Sequence, residues 1–373
     1  MLLFPDKTDV NSENSGKQFY VVSPRPDVNE KLCAQFRLAG FSTVKGIHLP
    51  YTELDKLAIP ADASGVVVDI ETNAQVDAIS QALQMKIPRQ VWCGVAGESD
   101  SISLSQRFAR YDLHYFNINV QLEAITRAAV LGAGIPEKRQ AVSISVLGCK
   151  GGVGSTLIGY QLAEKIARVK KTPTLYVQGA NGSRDLDLHA GKKLTQDITP
   201  LYKHFDVMSS QSAEFPDLKQ DFLQGYNVAL FEQAINTADK ELLRHLIESS
   251  SCLVLVIDRS MVSIRVARSM IEILELLQRS GQLSRRLYLC LSDTRPVSMS
   301  ALSVDDIQSL LGRTVDVHFP YSKQCHPEVR AFSLFSRALS PMDRLAHCVL
   351  GSSARPTMSF TQRMLRRNGK RER

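Results

Sequence analysis

The chain has 373 residues, a hydrophobic fraction of 44%, a charged fraction of 22% and a formal net charge of +7. That length suggests about two or three domains, and the composition excludes a collagenous, mainly disordered or coiled-coil chain. Basic against acidic residues number 14 and 16 in residues 1–140, 24 and 21 in 141–354, and 7 and 1 in 355–373. The positive excess therefore belongs to a tail and not to a domain surface, which weakens the nucleic-acid reading that a basic chain invites.

No apolar run reaches the ~18–20 residues that span a bilayer. The start, MLLFPDKTDVNSENSGK, is too short and too acidic for a signal peptide. Residues 1–16 read as a flexible leader. From there to residue 131 short β-branched and aromatic runs (Phe19–Val22, Gly65–Ile70, Val91–Val95, Leu113–Phe116) alternate with helical spacing at Leu32, Phe36 and Ala39, at Val76, Ile79 and Leu83, and at Leu122, Ile125 and Ala129. This predicts a small parallel sheet with helices on both faces.

Residues 132–140, GAGIPEKRQ, are turn-rich and charged and read as a linker. A second, larger doubly wound sheet is expected over 141–350. Its strands are Val142–Leu147, Thr174–Val177, Asn227–Phe231, Cys252–Asp258 and Arg286–Leu291, with helical stretches such as Ser263–Gln278 between them. Residues 351–373 form a basic tail, expected to be disordered. Its Arg363, Arg366, Arg367, Lys370, Arg371 and Arg373 could meet an anionic membrane surface or an acidic protein. No helix-turn-helix or aromatic-interleaved basic patch supports DNA as the partner. The seven cysteines show no CxxC spacing, and lone histidines such as His189 and His245 have no partners at metal spacing. Both facts argue for a reducing compartment and against a zinc site.

The most informative segment is Gly148-Cys149-Lys150-Gly151-Gly152-Val153-Gly154-Ser155-Thr156, set between a strand and an amphipathic helix. There, backbone amides and a helix N-terminus converge on an anion. GxxxxGK[ST] is not met literally. Cys149 replaces the first glycine, and Ser155 stands where the phosphate-binding lysine belongs. Lys150 is a cation five positions earlier, and Thr156 keeps the hydroxyl that would hold Mg²⁺.

GCKGGVGST resembles the deviant phosphate loop KGGxGK[ST] of the ParA/MinD ATPases, with Lys150 as its early signature lysine. The missing second lysine, together with a preceding receiver-like domain, is similar to the CpaE/TadZ branch of Tad-type pilus assembly. The resemblance spans roughly residues 18–340. It implies an α/β fold of two doubly wound domains: a receiver-like (flavodoxin-like) domain over 17–131 and a ParA/MinD-like P-loop domain over 141–350. It further implies ATP and Mg bound by Lys150, Gly151, Gly152, Val153, Gly154, Ser155 and Thr156, with Thr156 on the metal and Asp293 at the adenine-contacting strand end, where Asn is commoner. Gln178 falls at the family's water-orienting aspartate and Glu232 at its Walker B aspartate, and Asp185 or Asp187 could approach the site. With Ser155, Gln178 and Glu232 all departing from the family pattern, Lys150, Gln178 and Glu232 are the only catalytic candidates, and weak or no hydrolysis is expected. Asp69 ends a strand where a receiver carries its phosphorylated aspartate. Ser23-Pro24-Arg25-Pro26 replaces the acidic pair that would hold Mg²⁺, so no phosphorylation is expected there. The resulting expectation is a cytoplasmic, dimeric localisation scaffold at the cell pole or inner-membrane face, partnered by pilus and secretion proteins. The alternative is an active ParA/MinD-type ATPase that positions DNA or a division apparatus.

Overall fold

The computed structural model describes residues 18–132, 140–194, 198–216, 221–280, 285–298, 300–321 and 340–351. The leader, most of the expected linker and the basic tail lie outside the described residues.

The N-terminal elements run β1 (Gln18–Val22), α1 (Pro26–Leu38), β2 (Thr43–Ile47), β3 (Gly65–Asp69), α2 (Val76–Lys86), β4 (Trp92–Gly97), α3 (Ile102–Ala109), β5 (His114–Asn117) and α4 (Leu122–Gly132). The five strands are all parallel, in the order β2-β1-β3-β4-β5. Every residue of β3 and β4 is buried, as a parallel sheet covered on both faces requires. Phe19, Val21 and Val67 face α1 and α4 through Leu32, Phe36, Ile125 and Ala129. Tyr20, Val66 and Val68 face α2 and α3 through Ile79, Leu83, Leu104 and Phe108. The period-two alternation thus feeds two cores. The strand order reverses between β1 and β3, where open sheets place their crevice.

The C-terminal elements are β6 (Val142–Gly148), α5 (Ser155–Lys170), β7 (Thr174–Gln178), α6 (Leu186–Ala190), β8 (Thr199–Tyr202), β9 (Phe205–Ser209), β10 (Val228–Ala234), α7 (Lys240–Ser249), β11 (Cys252–Ile257), α8 (Met261–Arg279), β12 (Arg286–Ser292), α9 (Val304–Leu311), β13 (Val317–Phe319) and α10 (Pro341–Leu350). The eight strands lie in the order β13-β12-β11-β6-β10-β7-β9-β8, with β8 antiparallel at the edge. One face packs on α7, α8 and α9, the other on α5 and α10. The sequence reading does not name β2, α3, α6, α7, β8, β9, α9, β13 or α10. The strands among them sit at or next to sheet edges, where one side is solvated and a continuous apolar run is not needed. β8 alternates half-buried and exposed residues. Among the described residues, no helix is long and apolar enough to cross a membrane.

The two sheets meet where two helices end. The last carbonyls of a helix have no intrahelical partner. Those of α2 are taken from across the joint: Asn227 Nδ2 donates to Gln84 O at 2.8 Å and to Ile87 O at 2.7 Å, and Thr172 Oγ1 donates to Met85 O at 2.8 Å. In return Lys86 Nζ donates to the carbonyl of Lys170, the last residue of α5, at 3.2 Å. The Lys170 ammonium, 4% exposed, reaches both oxygens of Asp55 at 2.7 and 2.9 Å. Burial is the main cause that pushes the Lys86 amine below its ordinary value, and the charges of Lys170 and Lys171 add to it while Asp55 opposes it. Asn227→Ala would strand two buried carbonyls, so it is expected to cost about 3 kcal/mol of stability, read from the urea midpoint. A cost under about 1 kcal/mol would mean that water replaces the amide.

Candidate functional site

The site lies at the carboxyl end of β6. The loop from Cys149 to Gly154 turns the chain into α5, with Gly152 and Gly154 at φ +76° and +82°. Side-chain residues rarely adopt that conformation. A Cβ at Gly151 or Gly152 would meet nothing within 4 Å, so this side of the loop is open. Among the described residues, no protein acceptor takes the amides of Gly151, Gly152, Val153, Gly154, Ser155 or Thr156. Unpaired amides at a helix N-terminus form a ready anion site.

Beneath the loop, register sets the chemistry. Glu232 of β10 lies opposite Gln178 of β7 and Val146 of β6. Its carboxylate is fully buried. Ser155 Oγ donates to its Oε1 at 2.7 Å and Thr156 Oγ1 to its Oε2 at 3.3 Å. Burial raises the Glu232 carboxyl above its ordinary value, with the charge of Asp185 adding, while the bonds from Ser155 and Thr156 oppose the shift. A carboxyl raised in the folded state adds stability that is complete below its unfolded value near 4.5 and is lost as pH climbs through the folded value. Glu232→Gln is therefore expected to raise the melting temperature at pH 8, with the gap to native protein closing toward pH 4.5. A gap independent of pH would contradict a buried, titrating Glu232. Gln178 also lies close enough to Glu232 to oppose the shift; among the described residues, Gln178 Nε2 and Gln233 Nε2 are buried and meet no partner in hydrogen-bond geometry.

The remaining expected residues are placed as follows. Lys150 forms an ion pair with Asp258 at 2.9 Å and so is turned toward the end of β11. Burial works against the Asp258 charge, but hydrogen bonds from Ser260 and Lys150 outweigh it and hold the carboxyl below the usual range. Asp185 joins the site through a relay: it accepts from Ser183 Oγ, which lies 3.0 Å from Thr156 Oγ1. Asp187 does not reach the site, since it is exposed and accepts from the amide of Leu188. Asp293 lines a cleft of about 420 Å³ that it shares with Lys150, Gly151, Gly152 and Arg259. Its two oxygens are held by Arg259 and His318. Asp258, Arg259, Ser183 and His318 were not legible as site residues, because nothing local to their sequence marks them.

The donor set suits a magnesium polyphosphate. Thr156 and Glu232 offer hard oxygen ligands, and the open amides offer the anion cradle. Among the described residues, no cluster of three or more His, Cys, Asp or Glu could hold a metal by itself.

At the crevice of the N-terminal sheet, Asp69 is fully buried. Its Oδ1 accepts from Arg25 Nη2 at 2.8 Å and from the Glu71 amide at 2.8 Å. Its Oδ2 accepts from Ser23 Oγ at 2.7 Å and Arg25 Nε at 3.0 Å. Arg25 also pairs with Glu98. The carboxylate thus accepts from four donors, and the Arg25 guanidinium lies against it.

Fold and site together define a doubly wound α/β domain with an open glycine-rich loop ahead of α5, joined to a second α/β unit. No family model matches the chain, and no curated relative does. Among solved structures it is similar to a ParA family ATPase from Chlorobium tepidum TLS, at 17% identity over 48% of this chain and 85% of that one, TM-score 0.39. It is also similar to the cell division protein MinD of Aquifex aeolicus, at 16% identity over 57% and 99%, TM-score 0.39. A third is a Borrelia burgdorferi plasmid partition protein bound to AMPPNP, at 11% identity over 57% and 99%, TM-score 0.36.

Proposed function

We propose that this chain is a nucleotide-binding scaffold that holds magnesium ATP and hydrolyses it slowly or not at all. The observation that carries the reading is the loop itself. Among the described residues, its amides from Gly151 to Thr156 are unclaimed, while the position of the phosphate-binding lysine holds Ser155, whose hydroxyl is spent on Glu232. Binding needs the amides and the Thr156 hydroxyl. Phosphoryl transfer also needs positive charge that follows the moving phosphate, which Ser155 does not supply, and Gln178 puts an uncharged amide where the resemblance expects a water-orienting carboxylate. Bound magnesium would neutralise phosphate charge at Thr156 and Glu232. Lys150, tied to Asp258, would have to leave that pair to reach a phosphate.

In this reading residues 17–131 are a receiver-like domain without a phosphorylation switch, with Arg25 standing where the cation would bind. Residues 141–350 are the ParA/MinD-like domain, and 351–373 a basic tail that associates with an anionic surface. The resemblance to the CpaE/TadZ branch supports a role in Tad-type pilus assembly, as a homodimer at the cell pole. Calorimetry of the folded, full chain with magnesium ATP tests the site: about one nucleotide per chain is expected, and no heat of binding would overturn it.

A further inference from the structure

We propose that residues 18–132 are a fixed brace of the C-terminal unit, held by an interface that keeps the two units together even without the chain between them. Three helical segments end at the joint, and each has its last carbonyls closed from the other unit. α2 is closed by Asn227 and Thr172, and α5 by Lys86. The third is the single turn Asp221–Gly225, where Arg89 Nη1 donates to Leu223 O and to the nearby Tyr226 O. Lys86 and Arg89 thus set two cations on carbonyl ends, where negative charge collects. They are 6% and 7% exposed, and charged side chains are almost never that buried unless paired. These pairings exist only while the units touch.

Packing follows the same plan. Met85, in the last turn of α2, is fully buried. It belongs to the C-terminal unit's core with Val142, Ile144 and Val228, and to neither core of its own sheet. An interface that resembles a core cut in two is the mark of permanent partners. Its place matters for the loop. α5 opens with Ser155 and Thr156 and ends at Lys170. Thr172 lies just ahead of β7, which ends at Gln178, and Asn227 just ahead of β10, which carries Glu232. The first unit therefore holds, at their far ends, the same three elements that bring side chains to the loop. A swing of that unit would break all these bonds together, so it acts as a support and not as a moving switch. This holds whatever the loop binds.

A protease site placed between residues 132 and 140 of the full chain allows the folded protein to be cut between the units. The native pieces are expected to run as one complex in gel filtration at micromolar concentration, where a contact that depends on its tether comes apart. Met85→Asp puts a charge into the C-terminal unit's core and is expected to separate the pieces. Native pieces that separate, or Met85→Asp pieces that stay together, would overturn the proposal. A second measurement needs no cut, and it decides where a separated piece loses its fold. Trp92, the one tryptophan of the chain, lies in β4, so its fluorescence follows the first unit alone. Asn227 belongs to the other unit. Asn227→Ala is expected to lower the urea midpoint read from Trp92 by as much as the midpoint read from total helix content. A Trp92 midpoint unmoved by Asn227→Ala would overturn the proposal, while the nucleotide reading would still stand or fall by calorimetry alone.

Discussion

Ser155→Lys alone is expected to leave ATP turnover within about threefold of native protein, whereas Ser155→Lys/Glu232→Asp raises it by about a hundredfold, since one well-placed donor to transition-state charge is worth about 10²–10³ in rate. The reason is the buried carboxylate. Ser155 lies 2.7 Å from Glu232 Oε1, and the carboxylate is fully buried. A lysine introduced there meets a buried carboxylate, left with the Thr156 hydroxyl, before it meets a phosphate, and separating a buried pair leaves an uncompensated charge. Shortening Glu232 to Asp withdraws the carboxylate and frees the ammonium. Serine at 155 and glutamate at 232 are thus matched: the longer acid reaches into space that a lysine would need, and the serine hydroxyl satisfies it. Steady-state phosphate release from the two variants measures this, and a hundredfold gain from Ser155→Lys alone would contradict it.

Arg25→Ala is expected to cost about 3–5 kcal/mol of stability, the usual penalty for leaving a buried charge without its partner. Asp69 would keep only the Ser23 hydroxyl and the Glu71 amide. Arg25→Ala/Asp69→Asn should recover most of the loss, because a neutral amide needs no counter-charge. Chemical denaturation of the two variants decides, and a loss below about 1 kcal/mol in Arg25→Ala would show that the pair behaves like an exposed one. The result bears on function. A carboxylate bound by four donors is held as a structural group.

The two sites differ in how much of them a reader of the sequence could see. The phosphate loop is local chemistry: glycines at fixed spacing between a strand and a helix, with Ser155 and Thr156 opening α5. Glu232 and Gln178 were legible as strand ends, and the sheet register brings them face to face. The partnership of Arg25 with Asp69 spans 44 residues, and that of Lys150 with Asp258 spans 108. Such pairs exist only because parallel strands deliver their carboxyl ends to one edge. The same is true of Arg259, Asp293 and His318, which follow or belong to β11, β12 and β13. The joint was hidden for another reason. Asn227, Thr172 and Lys86 are ordinary polar residues whose role is to satisfy helix ends that a sequence pattern does not show meeting.

The central claim is that this loop binds nucleotide and has lost the means to hydrolyse it quickly. The most direct measurement pairs magnesium ATP binding with phosphate release on the same preparation of the folded, full-length chain. Saturable binding at about one nucleotide per chain is expected, abolished by crowding the open face of the loop with Gly152→Val, with single-turnover release slower by about a hundredfold or more than a loop with its lysine supports. Rapid turnover by the native protein, or no binding by protein shown to be folded, would contradict it.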